Sequence, residues 1–175
     1  DIVKVKHSKF NNVFLLDSNL ATINLIPGYK SVNEELVKVG DVEYRIWDPF
    51  TSKLAAAIKK NISIFPIEKG QKILYLGFAS GKTGSFISDI IGGEGMIYAV
   101  EISERSLREA IPMTEKRGNI VCILNDARLP ERYENTVIEK VDVIFSDTAD
   151  PQQAEIVIRN AQKFLKPNGH VILSI

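Results

Sequence analysis

The sequence predicts an α/β fold: a mostly parallel sheet with helices on both faces, preceded by a small β domain. Three observations carry that prediction. From Lys72 onward, short apolar runs alternate with helical patterns, the order that covers a parallel sheet on both faces. The first run, Ile73-Leu74-Tyr75-Leu76, passes into a glycine-bearing loop, Gly77-Phe78-Ala79-Ser80-Gly81-Lys82-Thr83, and a helix start. Such a junction offers backbone N–H groups to a ligand. The next run closes on Glu101, and an acidic residue roughly twenty positions further on is placed to accept hydrogen bonds from a ribose diol.

Residues 1–47 read as the small N-terminal β domain. Val13-Phe14-Leu15-Leu16 and Ala21-Thr22-Ile23-Asn24-Leu25-Ile26 flank the turn-like Asp17-Ser18-Asn19, and Pro27-Gly28 marks another turn. Leu36-Val37-Lys38-Val39 and Val42-Glu43-Tyr44-Arg45-Ile46-Trp47 are joined by Gly40-Asp41, a type II′ hairpin signal. So small a sheet is marginal alone and is expected to pack on the rest. Residues 48–175 form the second domain. Asp48 is expected to cap a helix with Pro49 at its first position and Leu54, Ala55 and Ile58 on its apolar face. Runs at 73–76, 96–100, 120–124, 141–145 and 171–175 read as strands, with helical patterns at 84–91, 104–116 and 152–165. Pro112 is expected to kink or divide the second helix, and 131–139 reads as a loop or short helix.

Composition bounds the function. The chain of 175 residues holds one ordinary domain plus an appendage, and 45% apolar residues describe a soluble globular protein. No apolar stretch approaches membrane-spanning length. The single cysteine, Cys122, lies inside an apolar run and reads as a buried structural thiol, consistent with an intracellular setting. His7 and His170 are isolated, so no metal site is expected. Lys plus Arg and Asp plus Glu both number 22. A protein gripping RNA alone usually carries a basic surplus. The chain opens Asp1-Ile2-Val3-Lys4 without a methionine, so its natural start is expected to lie upstream.

A spacing test separates ligand classes. Gly81-Lys82-Thr83 imitates the end of a phosphate-binding P-loop, whose first glycine would fall at position 76, which is Leu76. Gly77 comes one residue late, and Gly77 and Gly81 are not spaced for a dinucleotide pyrophosphate either. What survives is a small-residue loop suited to a ligand without phosphate. S-adenosylmethionine fits, with its amino-acid end at the loop and its ribose at Glu101.

Five segments, in order, resemble the fibrillarin family, especially its archaeal form. They are Tyr44-Arg45-Ile46-Trp47-Asp48-Pro49-Phe50-Thr51-Ser52-Lys53-Leu54-Ala55-Ala56, Tyr75-Leu76-Gly77-Phe78-Ala79-Ser80-Gly81, Tyr98-Ala99-Val100-Glu101, Asn125-Asp126-Ala127-Arg128 and Asp147-Thr148-Ala149-Asp150-Pro151. The similarity runs from about Leu20 to the last residue. The resemblance implies a Rossmann-like S-adenosylmethionine-dependent methyltransferase sheet with helices on both faces, plus the small N-terminal β domain. It implies 2′-O-methylation of ribosomal RNA and, in archaea, transfer RNA. Target choice would fall to a box C/D guide RNA, in a particle with a coiled-coil Nop-domain protein and a kink-turn-binding protein. That division of labour agrees with the neutral charge.

The candidate site residues carry alternatives. Gly77, Ala79, Ser80 and Gly81 form the cofactor loop. Lys82 and Thr83 match the family's Thr-Thr pair beside the methionine moiety, and Lys82 departs from it. This lysine either meets the ligand carboxylate or is a solvated cation at a helix start, where the dipole disfavours it. Glu101 would bind the ribose, with Ile102 against the adenine, or cap the helix after Ser103. Asp126 and Ala127 would address the adenine edge, or Asp126 forms an Asx turn before Arg128. Asp147, Thr148, Ala149 and Asp150 form the remaining wall, where the family usually has Gln at the Asp150 position. Asp150 also reads as the cap of a helix beginning at Pro151. In the family a lysine at the Lys53 position reaches the methyl acceptor, and Lys53 with Asp147 would hold and polarise the ribose hydroxyl. The family continues past this chain's last strand with a second catalytic lysine and further elements, so the chain is expected to be partial. The competing readings are a non-catalytic scaffold of the particle and, disfavoured by Leu76, a P-loop nucleotide-binding protein.

Overall fold

The computed structural model describes residues 2–175. Its first part is an antiparallel sheet built from β1 (Val5–His7), β2 (Phe14–Leu16), β3 (Asn19–Ile23), β4 (Leu36–Val39) and β5 (Val42–Ile46), in the order β1-β2-β3-β5-β4. Gly40 has φ 62° between Val39 and Val42, which pair across the turn, as a type II′ hairpin requires. Gly28, with φ 85°, closes a turn in which Tyr29 N–H donates to the Ile26 carbonyl.

The remainder alternates as expected. It comprises α1 (Lys53–Lys59), β6 (Lys72–Leu76), α2 (Lys82–Ile91), β7 (Met96–Glu101), α3 (Glu104–Arg117), β8 (Ile120–Leu124), β9 (Val141–Ser146), α4 (Gln153–Phe164) and β10 (Leu165–Leu173). The five strands are all parallel, in the order β10-β9-β6-β7-β8. Alternate residues serve opposite faces, as the period of a strand dictates. Ile73, Tyr75, Ala99, Val143 and Phe145 pack with α1, α2 and α3. Leu74, Leu76, Tyr98, Val100 and Ile144 pack with α4.

Several boundaries differ from expectation, each for a local reason. α1 starts at Lys53 and its cap is Ser52, whose hydroxyl accepts from Ala55 N–H at 3.3 Å. Asp48 spends its carboxylate on Phe50 N–H (2.8 Å) and its carbonyl on Thr51 N–H (3.2 Å), which makes a turn of the segment expected to be helical. Asp150 likewise accepts from Gln152 N–H at 2.8 Å, and α4 begins only at Gln153. α3 runs through Pro112 undivided. Pro112 sits on the solvent face, where water can serve the carbonyl it leaves free, while Leu107, Ala110 and Met113 hold the other face on the core. Residues 130–132 form one 3-10 turn. The last strand starts early, at Leu165, and shifts register between Leu165 and His170.

The small sheet is fastened to the parallel domain by buried charge. Trp47 stacks on Phe86 of α2, with centroids 5.1 Å apart, and the Arg45 guanidinium lies 4.0 Å from the same ring. Arg45, fully buried, donates to Glu34, to Asp89 at 2.8 Å and to Ser85 at 2.7 Å. Asp89 also accepts from Thr22 Oγ1 (2.6 Å), Leu25 N–H (2.9 Å) and Arg117 (2.7 Å). Burial raises the Glu34 carboxyl, but the Arg45 charge and hydrogen bond outweigh burial and hold it below its ordinary value.

Candidate active site

The chain runs β6, β7, β8 in one direction along the sheet, then returns to place β9 and β10 on the other side of β6. The β6/β9 junction is therefore a topological switch point, where a crevice opens beyond the carboxyl ends of the strands. Backbone hydrogen bonds past the strand ends set its rim. Asn125 N–H donates to the Glu101 carbonyl (3.1 Å), Gly77 N–H to Val100 (2.9 Å) and Asp147 N–H to Leu76 (2.9 Å). Gly77 must be glycine. Its φ is 84°, and an added Cβ would lie 2.3 Å from the Asp147 carbonyl oxygen.

A pocket of about 270 Å³ occupies this crevice. Of the residues expected to bind a cofactor, Gly77, Ala79, Glu101, Ile102, Asp126, Ala127, Asp147, Thr148 and Asp150 line it. Ser80, Gly81, Lys82, Thr83 and Ala149 do not. Gly81 instead packs at the α2 start, where a Cβ would meet Met113 at 2.5 Å and Phe78 at 2.9 Å. Lys82 is exposed and lines a separate cavity with Trp47 and Phe86. Thr83 Oγ1 is 3.0 Å from Ser52 Oγ, tying α1 to the loop. Burial, and then the Asp147 charge, push the Tyr75 phenol well above its ordinary value, so it stays protonated.

The acidic residues are partly engaged. Glu101 accepts from Ala79 N–H (2.7 Å) and Ser103 N–H (2.8 Å), which fixes the loop against β7. A carboxylate has about four lone-pair sites, so acceptor capacity remains for a diol. Asp126 makes the Asx turn, accepting from Arg128 N–H at 2.9 Å, and its oxygens also receive the Arg128 guanidinium. That guanidinium lowers the Asp126 carboxyl. Ile102 is 63% exposed, an apolar surface facing the pocket. Asp147 and Lys53 form an ion pair, with oxygen and nitrogen 3.7 Å apart. Lys53 is not part of the pocket lining, so the pair leads from the pocket edge outward.

α4 supplies two residues that sequence reasoning missed. The Gln153 carbonyl oxygen accepts from Thr148 N–H (2.9 Å), Thr148 Oγ1 (3.2 Å) and Ser146 Oγ (2.9 Å). Asn160 donates to the Ala127 carbonyl at 2.9 Å and accepts from the Tyr133 hydroxyl. Each holds one rim loop from below. The available signal was their position: both are polar residues within the buried stripe that contains Ile156, Val157 and Phe164.

The arrangement fits a cationic nucleoside. Glu101, Asp126, Asp147 and Asp150 face one guanidinium, Arg128, in the lining. Such a wall attracts a sulfonium and an ammonium and repels a triphosphate. Oxygen acceptors for a ribose diol and an apolar surface for adenine are both present.

Comparison with known proteins agrees. The model of the Fibrillarin family matches residues 4–175. A fibrillarin-like rRNA/tRNA 2′-O-methyltransferase from Thermococcus sibiricus is 49% identical, over 99% of this chain and 78% of the relative. The crystal structure of Aeropyrum pernix fibrillarin with natively bound S-adenosyl-L-methionine superposes with a TM-score of 0.94 at 42% identity, covering 99% of this chain and 77% of that one. A fibrillarin/Nop5p complex matches with a TM-score of 0.81 at 41% identity, covering 93% of this chain and 74% of that one.

Proposed function

The chain belongs to the fibrillarin family, and from that premise we propose how this site works: as an S-adenosylmethionine-dependent methyltransferase acting on the ribose 2′-hydroxyl of ribosomal RNA, and of transfer RNA. The observation that carries the reading is the acidic pocket at the switch point with the Lys53–Asp147 pair at its edge. Domain 1–47 is the small β domain and 48–175 the methyltransferase domain. Glu101 holds the ribose diol, Ile102 packs on adenine, and Asp126 and Ala127 address its edge. Gly77, Ala79 and the turn to Ser80 lie against the amino-acid end, with Thr148 and Asp150 opposite. Gly81, Thr83 and Ala149 shape the backbone behind these walls.

When bound, the cofactor supplies an electrophilic methyl group on a sulfonium. The chain's own residues handle the acceptor. Asp147 accepts the hydrogen bond of the 2′-hydroxyl and takes up its proton as the new bond forms. Lys53 holds that carboxylate in place and fixes the ribose oxygen for in-line attack. Gln153, through Thr148, keeps the segment after Asp147 from shifting.

A Nop-domain protein is its partner, as in the fibrillarin/Nop5p complex. A box C/D guide RNA and a kink-turn-binding protein complete the particle, and the partners supply part of the phosphate contact, since a chain of zero net charge has no basic surplus for holding RNA alone. Among the described residues no helix is long and apolar enough to cross a membrane.

Titration calorimetry tests the pocket. S-adenosylmethionine is expected to bind and ATP to give no heat. Losing hydrogen bonds to a charged acceptor costs about 1.5–3 kcal/mol, so Glu101→Ala should weaken cofactor binding by roughly tenfold or more. Unchanged affinity in a folded Glu101→Ala protein would remove Glu101 from the site.

A further inference from the structure

A cavity of about 410 Å³, separate from the pocket at the switch point, lies between the small sheet and α2. Its wall includes Trp47, the segment from Asp48 to Thr51, Lys59 and Lys82. Phe50 stands at this cavity and is 97% exposed. An aromatic ring left almost wholly in water forgoes a large burial gain. A lone exposed apolar residue needs no explanation by itself; the fixed backbone and the setting of this one do. The Asp48 carboxylate and carbonyl staple Phe50 and Thr51 into a turn. Trp47, stacked on Phe86, anchors the preceding residue, and Ser52, bonded to Thr83, anchors the following helix. The backbone thus holds the ring outward. Lys53 follows three residues later, and Lys59 and Lys82 flank the same cavity, with Glu35 and Asp48 as its exposed acids. Glu34 is already paired with Arg45.

We propose that Phe50 is a stacking platform for a nucleobase of the RNA strand that carries the methyl-acceptor hydroxyl, with Lys59 and Lys82 meeting the adjoining phosphates. The proposal rests on the RNA methyltransferase reading above. Phe50 lies three residues before Lys53, so the nucleotides adjoining an acceptor ribose at Lys53 and Asp147 are the ones this ring would meet. An aromatic face among lysines is the combination by which proteins hold a strand without reading its sequence. Stacking on a side chain is also how RNA bases are oriented for contact. Phe50 is then a positioning residue, since it touches a neighbouring base and no reacting atom.

The test uses the particle assembled with guide RNA and partner proteins, with single-turnover methylation followed as target RNA is varied at saturating cofactor. Phe50→Ala should raise the half-saturating target concentration roughly tenfold, the effect of losing one stacked base. Phe50→Tyr should restore it and Phe50→Leu should not, because a merely apolar contact would be satisfied by leucine. Cofactor affinity and affinity for the Nop-domain partner should be unchanged. A wild-type particle that methylates beside a Phe50→Ala particle with the same half-saturation overturns the stacking role alone. Loss of partner affinity in Phe50→Ala with unchanged RNA dependence also overturns it and assigns the ring to a protein contact. A wild-type particle without methylation overturns this proposal together with the reading on which it rests.

Discussion

Replacing Asp147 with alanine is expected to slow methyl transfer by on the order of 10²-fold or more, the loss associated with a missing general base, and replacing Lys53 to slow it through lost positioning of that carboxylate and of the ribose oxygen. A ribose hydroxyl is a weak nucleophile, and something must relieve its proton as the bond forms. Asp147 lies at the end of β9, its N–H bonded to the Leu76 carbonyl, with Gly77 packed so closely that no side chain fits between them. The alanine variant keeps those backbone bonds and loses only the carboxylate. Lys53 and Asp147 are 64% and 33% exposed at the side chain, so the pair contributes little to stability, and neither variant should unfold. Lys53 does not line the cofactor pocket, so Lys53→Ala should leave cofactor affinity nearly intact, whereas Asp147→Ala is allowed some loss. Single-turnover kinetics in the assembled particle at saturating cofactor isolate the chemical step. A Lys53→Ala enzyme working at the wild-type rate would return that lysine to the role of a surface charge.

Asp89→Ala is expected to cost about 3–5 kcal/mol of folding stability, the penalty for removing one partner of a buried ion pair. Asp89 accepts from Arg45, Arg117, Thr22 and the Leu25 backbone, and the side chains of Asp89 and both arginines have no exposed area. Alanine leaves two guanidinium groups facing each other in the interior without their shared counter-charge. Against the roughly 5–15 kcal/mol that holds a typical domain together, this is a large loss. It should appear as a strongly lowered midpoint in denaturant unfolding. Because the network joins the small sheet to α2 and α3, the small sheet should lose protection from hydrogen exchange first. Asp89→Asn, which keeps acceptor oxygen, should fall between wild type and alanine. An Asp89→Ala protein with the wild-type midpoint would contradict this account of how the two sheets are joined.

That network was illegible in the sequence, and the reason is physical. Glu34, Arg45, Asp89 and Arg117 are scattered over more than 80 positions, and each, read locally, is an ordinary surface charge. Only the tertiary arrangement shows that they meet, since burial of charge has no local periodic signature. The parallel sheet was legible because its strands are continuous apolar runs separated by helical periods, a pattern set by burial on both faces. The Gly77 loop and Glu101 were legible because both lie at strand ends, where chain direction alone brings them to one rim. Lys53 and Asp147 came from the family resemblance, and the structure places them 3.7 Å apart. Helix starts were misread at Asp48 and Asp150 for a shared reason. An aspartate before proline can close a turn two residues on as readily as it can cap a helix, and local sequence does not separate the two. Lys82 has a similar ambiguity, because a side chain at a helix start can swing toward either of two cavities. Gln153 and Asn160 could have been found by asking why an amphipathic stripe carries two amides on its buried face.

The central claim is that the acidic pocket and the Lys53–Asp147 pair place a methyl group on a ribose 2′-oxygen chosen by a guide. The most direct measurement assembles the protein with its Nop-domain partner, a kink-turn-binding protein, a guide RNA and a matched target, adds cofactor with a labelled methyl group, and maps the label. The account predicts label at the guide-specified nucleotide only, and none when that nucleotide carries a 2′-deoxy sugar. Label that persists on the deoxy target, or that reaches naked RNA equally well without guide, would contradict it.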